Sequence, residues 1–156
     1  MNKVKVHQTS NLEEGYESRI KLYEDVLQHQ RDVYNVLLEL SYNLRENGSK
    51  HDWSKIYYFN DFAEDVLERQ TNNDFKNRRW YKLHTSLERH HINSSVPENV
   101  NLLDVLEMIV DCIVSGKTRS DDGVDFKFLE LDETLLTEAY WNTVTLINDN
   151  VILKIR

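Results

Sequence analysis

Six histidines stand in this chain, at positions 7, 29, 51, 84, 90 and 91. An imidazole both exchanges protons near neutrality and ligates divalent metals, so their placement bears directly on function. His51 and Asp52 are adjacent, and one ring nitrogen with one carboxylate oxygen can reach the same ion. That donor mixture is open to Mn, Fe, Co, Zn or Mg. Capping of a helix by Asp52 is the other use of such a residue. Asp111 lies in EMIVDCIV, a carboxylate among apolar neighbours, and needs a cation or hydrogen-bond donors. We read it as a metal ligand. Asp104 and Glu107 share its side of a helix at spacings of three and four and are expected to face water. His29 follows Val26 by three residues and precedes Val33 by four, inside an apolar stripe. A polar ring there needs a partner, which a carbonyl, a carboxylate or an ion can supply.

The elements that must position these groups read as helices. Leu22, Val26, Val33, Leu37, Leu40 and Leu44 predict a long helix over about 14–46, ended by Asn47 and Gly48. A second helix is expected from His51 toward Gln70 and a third over about 74–92, which would put His84 and His91 on one face and aim His90 elsewhere. A loop over 93–97 follows, and Asn99 or Asn101 caps a fourth helix, NLLDVLEMIVDCIVS, apolar on most sides and hence central. Gly116 stops it. A polar connection, GKTRSDDGVDF, leads to a last helix capped by Asp132, and the closing VILKIR continues that helix or forms a short strand.

Composition agrees. In 156 residues there are 4 glycines and 1 proline, which favours long helices over a turn-rich sheet, and the length suits one domain. The lone Cys112 can form no intramolecular disulfide and reads as a small buried side chain. A formal net charge of -8 opposes a polyanionic duplex or an anionic membrane as partner, while a metal ion and a few local cations still allow a small anionic ligand. No apolar run approaches the roughly 20 residues of a membrane span. The start also lacks a signal-peptide core, so a cytoplasmic protein is expected.

The order His29, then His51 with Asp52, then Asp111 resembles the H…HD…D signature of the HD-domain phosphohydrolase superfamily, over residues 22–115. HDWSK, followed by the histidine cluster and EMIVDC, also looks like a set of short, uncharacterised HD-like proteins of phages and bacteria. The resemblance implies an all-α, single-domain HD-like bundle of five to six helices over 13–156, behind a loose arm at 1–12. It implies one divalent ion held by His29, His51, Asp52 and Asp111, and a second site at His84, His90 and His91. The chain departs from the pattern in two places: NGSK precedes the dipeptide where many HD proteins end an apolar helix, and Lys55 stands where some nucleotidases carry an acid.

These features together point to a metal-dependent phosphohydrolase acting on a nucleotide or other small phosphate ester, in a bacterium or a phage-infected host. Asp52 or Asp111 would orient water, and Lys55 with His84, His90 or His91 would steady the phosphate. Lys76, Arg78, Arg79, Trp80, Tyr81 and Lys82 set cations beside aromatic faces, so Arg78 and Arg79 are further phosphate contacts. The same run also suits a solvated helix face with Trp80 turned inward. Two rival expectations stand: a phage-type accessory or inhibitor protein that binds a host protein or sequesters a nucleotide, and a purely structural helical module. Oligomer formation is left open.

Overall fold

A computed structural model describes residues 4–6, 19–69, 75–116, 119–120, 123–124 and 129–154. The fold class is all-α, with six α-helices among the described residues: α1 (Arg19–Ser49), α2 (Trp53–Tyr57), α3 (Phe59–Arg69), α4 (Arg79–Leu87), α5 (Leu102–Val114) and α6 (Glu133–Leu146). By its contacts the chain groups into two compact units, Met1–Arg45 with Thr143–Arg156, and Glu46–Asn142. No helix among the described residues is long and apolar enough to cross a membrane.

In the first unit, strand β1 (Val4–Val6) pairs in parallel with β4 (Ile152–Lys154). Within the expected arm Val4–Val6 are strand, and of VILKIR the segment Ile152–Lys154 is strand, while Ile155 and Arg156 lie outside the described residues. Over 19–45, α1 keeps the predicted apolar stripe but does not bury it. Leu22, Val26, Val33 and Leu37 are 39%, 47%, 44% and 60% exposed. Asp32, on the other side, is buried and accepts a hydrogen bond from Gln28 at 2.9 Å. Periodicity determines which residues share a face, and packing decides which face is covered.

The second unit is built around α5, as its composition predicts. Val105, Met108 and Cys112 from α5 join Ile92, Val100 and Ala139 in a core flanked by Ile109, Leu129, Leu131 and Leu135. Asn101 caps α5 with a full capping box: its side chain accepts from Leu103 N at 2.9 Å, and Asp104 accepts from Asn101 N at 2.9 Å. Gly116 ends the turn after α5 at φ 78. Asp132 caps α6 as expected, accepting from Thr134 N at 2.8 Å, and Asn142 of α6 donates to Val100 O at 2.9 Å. Strands β2 (Arg119–Ser120) and β3 (Gly123–Val124) pair antiparallel within the polar connection, whose other residues lie mostly outside the described ones.

Two predicted helices are interrupted. The second breaks at Tyr58 into α2 and α3. The third is replaced by a 3-10 turn at Phe75–Asn77 and the short α4, which ends where Glu88 turns extended at φ -95, ψ 114. His90 and His91 therefore leave the helix and sit on a turn, which frees His90 from the helical geometry that would have aimed it elsewhere.

Candidate metal centre

The centre lies wholly within the second unit and begins at the turn before α2. There Asp52 adopts the left-handed conformation, φ 57 and ψ 24, the only non-glycine among the described residues to do so. Strain of this kind persists where the surroundings enforce it, commonly at functional sites. Asp52 makes no side-chain cap to α2, so the capping use is ruled out. Its carboxylate instead meets the imidazoles of three elements and the ammonium of Lys55.

The contacts converge on that carboxylate. Asp52 Oδ2 is 3.6 Å from His51 Nε2, which is also 3.6 Å from Asp111 Oδ1. Asp52 Oδ1 is 3.4 Å from His84 Nε2 and 3.7 Å from His90 Nε2. His84 Nε2 and His91 Nε2 approach to 2.7 Å. Ligand bonds of about 2.1 Å at tetrahedral angles set donor atoms about 3.4 Å apart, so the separations of 3.4–3.7 Å suit a shared ion, while 2.7 Å between His84 and His91 is a hydrogen-bond distance. Asp52 Oδ1 and His90 Nε2 are both buried and have no hydrogen-bond partner. Two such atoms facing one another would be costly in a merely structural cluster, whereas a cation between them satisfies both.

A shell of hydrogen bonds orients the rings. Glu107 Oε1 is 3.0 Å from His51 Nδ1 and 3.2 Å from His90 Nδ1. Ser54 Oγ is 2.7 Å from His84 Nδ1, and Ser54 N donates to Glu88 Oε1 at 2.8 Å. Ser54, His84 and Asp52 thus form a chain that superficially suits a nucleophilic triad, but Ser54 is fully buried and cannot meet a substrate. Behind His84 the indole of Trp80 stacks at 4.9 Å and 9°, and Phe62 packs on Trp80 at 4.9 Å.

Electrostatics follow from this packing. Burial pushes the His84 imidazole down to about 4, with Lys55 and the neighbouring rings adding to the effect and Asp52 opposing it. Burial would raise the Asp52 carboxyl, but the hydrogen bond and charge of Lys55 win and hold it below its ordinary value. Glu107 is lowered chiefly by its hydrogen bond to His90, against burial and with help from His51. Near neutrality the cluster therefore presents carboxylates and at least one neutral imidazole, the forms that ligate metals.

Of the residues singled out in the sequence, His51, Asp52, Asp111, His84, His90 and His91 come together here. His29 belongs to the first unit, where its side chain is exposed rather than inward as expected. Asp104 and Glu107 do not face water. Asp104 is fully buried and takes a bidentate pair from Arg89, and Glu107 braces two histidines. Sequence reasoning missed Ser54, Glu88 and Glu107, although Glu107 stands one helical turn before Asp111 on the same face.

A cavity of about 560 Å³ opens beside the histidines, lined by Lys55, Phe62, Lys76, Trp80, His84 and Asp111 among others. Lys55 faces it as expected. Arg78 and Arg79 do not line it; they border a different, acidic cavity with Asp61, Glu64, Asp65 and Glu68. Arg78 is ion-paired with Asp65 at 3.1 Å and with Glu68 at 2.5 Å, so its charge is already answered and it is poorly suited to the phosphate role. Trp80 is buried, in keeping with the inward alternative.

No curated protein and no solved structure matches the chain. A family model described as a family of unknown function, DUF5662, matches residues 18–144 and so spans α1 to α5, most of α6 and every side chain of the centre. On that match the chain belongs to the DUF5662 family.

Proposed function

We propose that this protein is a metal-dependent phosphohydrolase acting on a nucleotide or other small phosphate ester, with the Asp52 carboxylate shared between two divalent ions. The observation that carries this reading is the gathering of four Nε2 atoms and two carboxylates, two of whose atoms, Asp52 Oδ1 and His90 Nε2, are buried and lack hydrogen-bond partners. His51, Asp111 and one oxygen of Asp52 would hold one ion. His84, His90, His91 and the other oxygen would hold the second. Mixed imidazole and carboxylate donors suit Mn, Fe, Co or Zn, with Mg as the harder alternative. The resemblance of His51, Asp52 and Asp111 to the HD signature supports the same chemistry.

Bound divalent ions supply an activated water and offset charge on phosphoryl oxygens. The chain's own groups do the rest. Lys55, held beside Asp52 and lining the cavity, provides a point charge for a phosphate oxygen. Lys76 lines the same cavity, and Phe62 offers apolar surface for a base or other leaving group, with Trp80 packed against it. Asp111 is positioned to orient water.

Metal analysis of the purified protein, followed by a phosphate-release screen over nucleotides and simple phosphomonoesters, tests this reading. Divalent metal near two ions per chain and release from at least one ester are expected, with both lost in the His51→Ala, Asp52→Ala double variant. Unchanged release by that variant would overturn the site assignment. Metal without release from any ester would leave a binding protein in place of an enzyme.

A further inference from the structure

Glu107 lies on α5, His51 on the turn before α2 and His90 on the turn after α4, so three separate segments meet at one carboxylate oxygen. The two rings lie 4.2 Å apart and are tilted by 35°, with both Nδ1 atoms directed at Glu107. A carboxylate oxygen can only accept, so each Nδ1 carries a proton. In a neutral imidazole the lone pair is then left on Nε2, on the far side of the ring, where both rings face Asp52.

We propose that Glu107 is the positioning residue of the metal centre: one oxygen takes both Nδ1 protons and thereby turns the ligating Nε2 atoms of His51 and His90 toward Asp52. The proposal rests on the two-ion reading above. The same three residues also lie close enough to hold one ion themselves, their donor atoms being within 4.8 Å of one another. That arrangement would leave His90 Nε2 buried and unanswered, whereas the positioning role accounts for it. The Arg89 pair with Asp104 supports it further, because it anchors the turn carrying His90 to the same helix as Glu107. Outer partners of this kind set the tautomer and direction of ligating histidines, and losing them commonly weakens metal affinity about 10- to 100-fold.

The test is titration of the full chain with Mn²⁺ alone, by calorimetry, for the wild type, Glu107→Gln and Glu107→Leu. Gln keeps an oxygen that can accept both protons, so its affinity should stay within about threefold of wild type, while Leu should lose about 10- to 100-fold. Equal affinity in Glu107→Leu would overturn the positioning role and leave the metal reading intact. A loss in Glu107→Gln as large as in Glu107→Leu would make Glu107 a direct ligand and also overturn it. Absence of Mn²⁺ binding by the wild type would overturn the metal reading and this inference with it. Nitrogen-15 spectra of the metal-free wild type supply a readout independent of variant folding: His51 and His90 should carry their protons on Nδ1, and protons on Nε2 alone would refute the proposal.

Discussion

Arg89 grips Asp104 through two nearly parallel hydrogen bonds, Nε to Oδ1 at 2.7 Å and Nη2 to Oδ2 at 2.6 Å, while Nη1 reaches Asn99 Oδ1 at 2.9 Å. This fork joins the turn that carries His90 and His91 to the first turn of α5, and Asp104 is fully buried. Removing the guanidinium leaves the buried Asp104 carboxylate with the Asn101 N–H still donating to Oδ2 but without its charged partner. Arg89→Ala should therefore destabilise the fold by about 1–3 kcal/mol, because Asp104 is buried while Arg89 itself is exposed and water can take part of its place. Urea unfolding monitored by circular dichroism checks this, and a change below about 1 kcal/mol would contradict it.

Metal should stabilise the folded chain. If ions bind the native cluster and not the unfolded chain, saturation at about 100 times Kd adds about 2.7 kcal/mol and raises the melting temperature. A chelator should reverse the rise. His90→Ala should remove most of it, since His90 Nε2 is one of the two buried atoms that an ion would satisfy. A thermal scan with and without Mn²⁺ or Zn²⁺ reads the effect directly.

Acid should destabilise the metal-free protein in a defined window. His84 is held down to about 4 from 6.5, so the unfolded chain binds the extra proton first and stability falls as pH drops from about 6.5 to about 4. A shift of this size corresponds to at most about 3 kcal/mol. Asp52 and Glu107 are also lowered, and their contributions are present above their ordinary values of 3.8 and 4.5 and lost only at lower pH. Melting curves in chelator across this range should show the slope, and His84→Gln should flatten its upper part.

The capping box on α5 provides a smaller, local test. Asn101→Ala removes the acceptor for Leu103 N and should cost about 1 kcal/mol. The same denaturation assay applies, and metal affinity should change little because no ligand side chain moves.

Much of this protein was legible before any coordinates. The apolar run 102–114 reads as a central helix, Asp132 as a cap and Asn99 or Asn101 as another, and Cys112 belongs inside. The adjacency of His51 and Asp52, with Asp111 in an apolar setting, named half of the cluster, because these are properties of residue type and near neighbours. Other features depend on contacts far apart in the chain. The break at Tyr58 and the extended turn at Glu88 carry no proline or glycine signal, yet the second releases His90 and His91 from helical spacing. Glu107 looked solvated because a helical wheel reports which residues share a face and says nothing of what lies opposite. His29 showed the converse error: its stripe was read correctly, but that face of α1 is exposed. Local periodicity thus determined the helices, while only the tertiary structure decided which polar groups were enclosed, since burial depends on partners that sequence spacing does not encode.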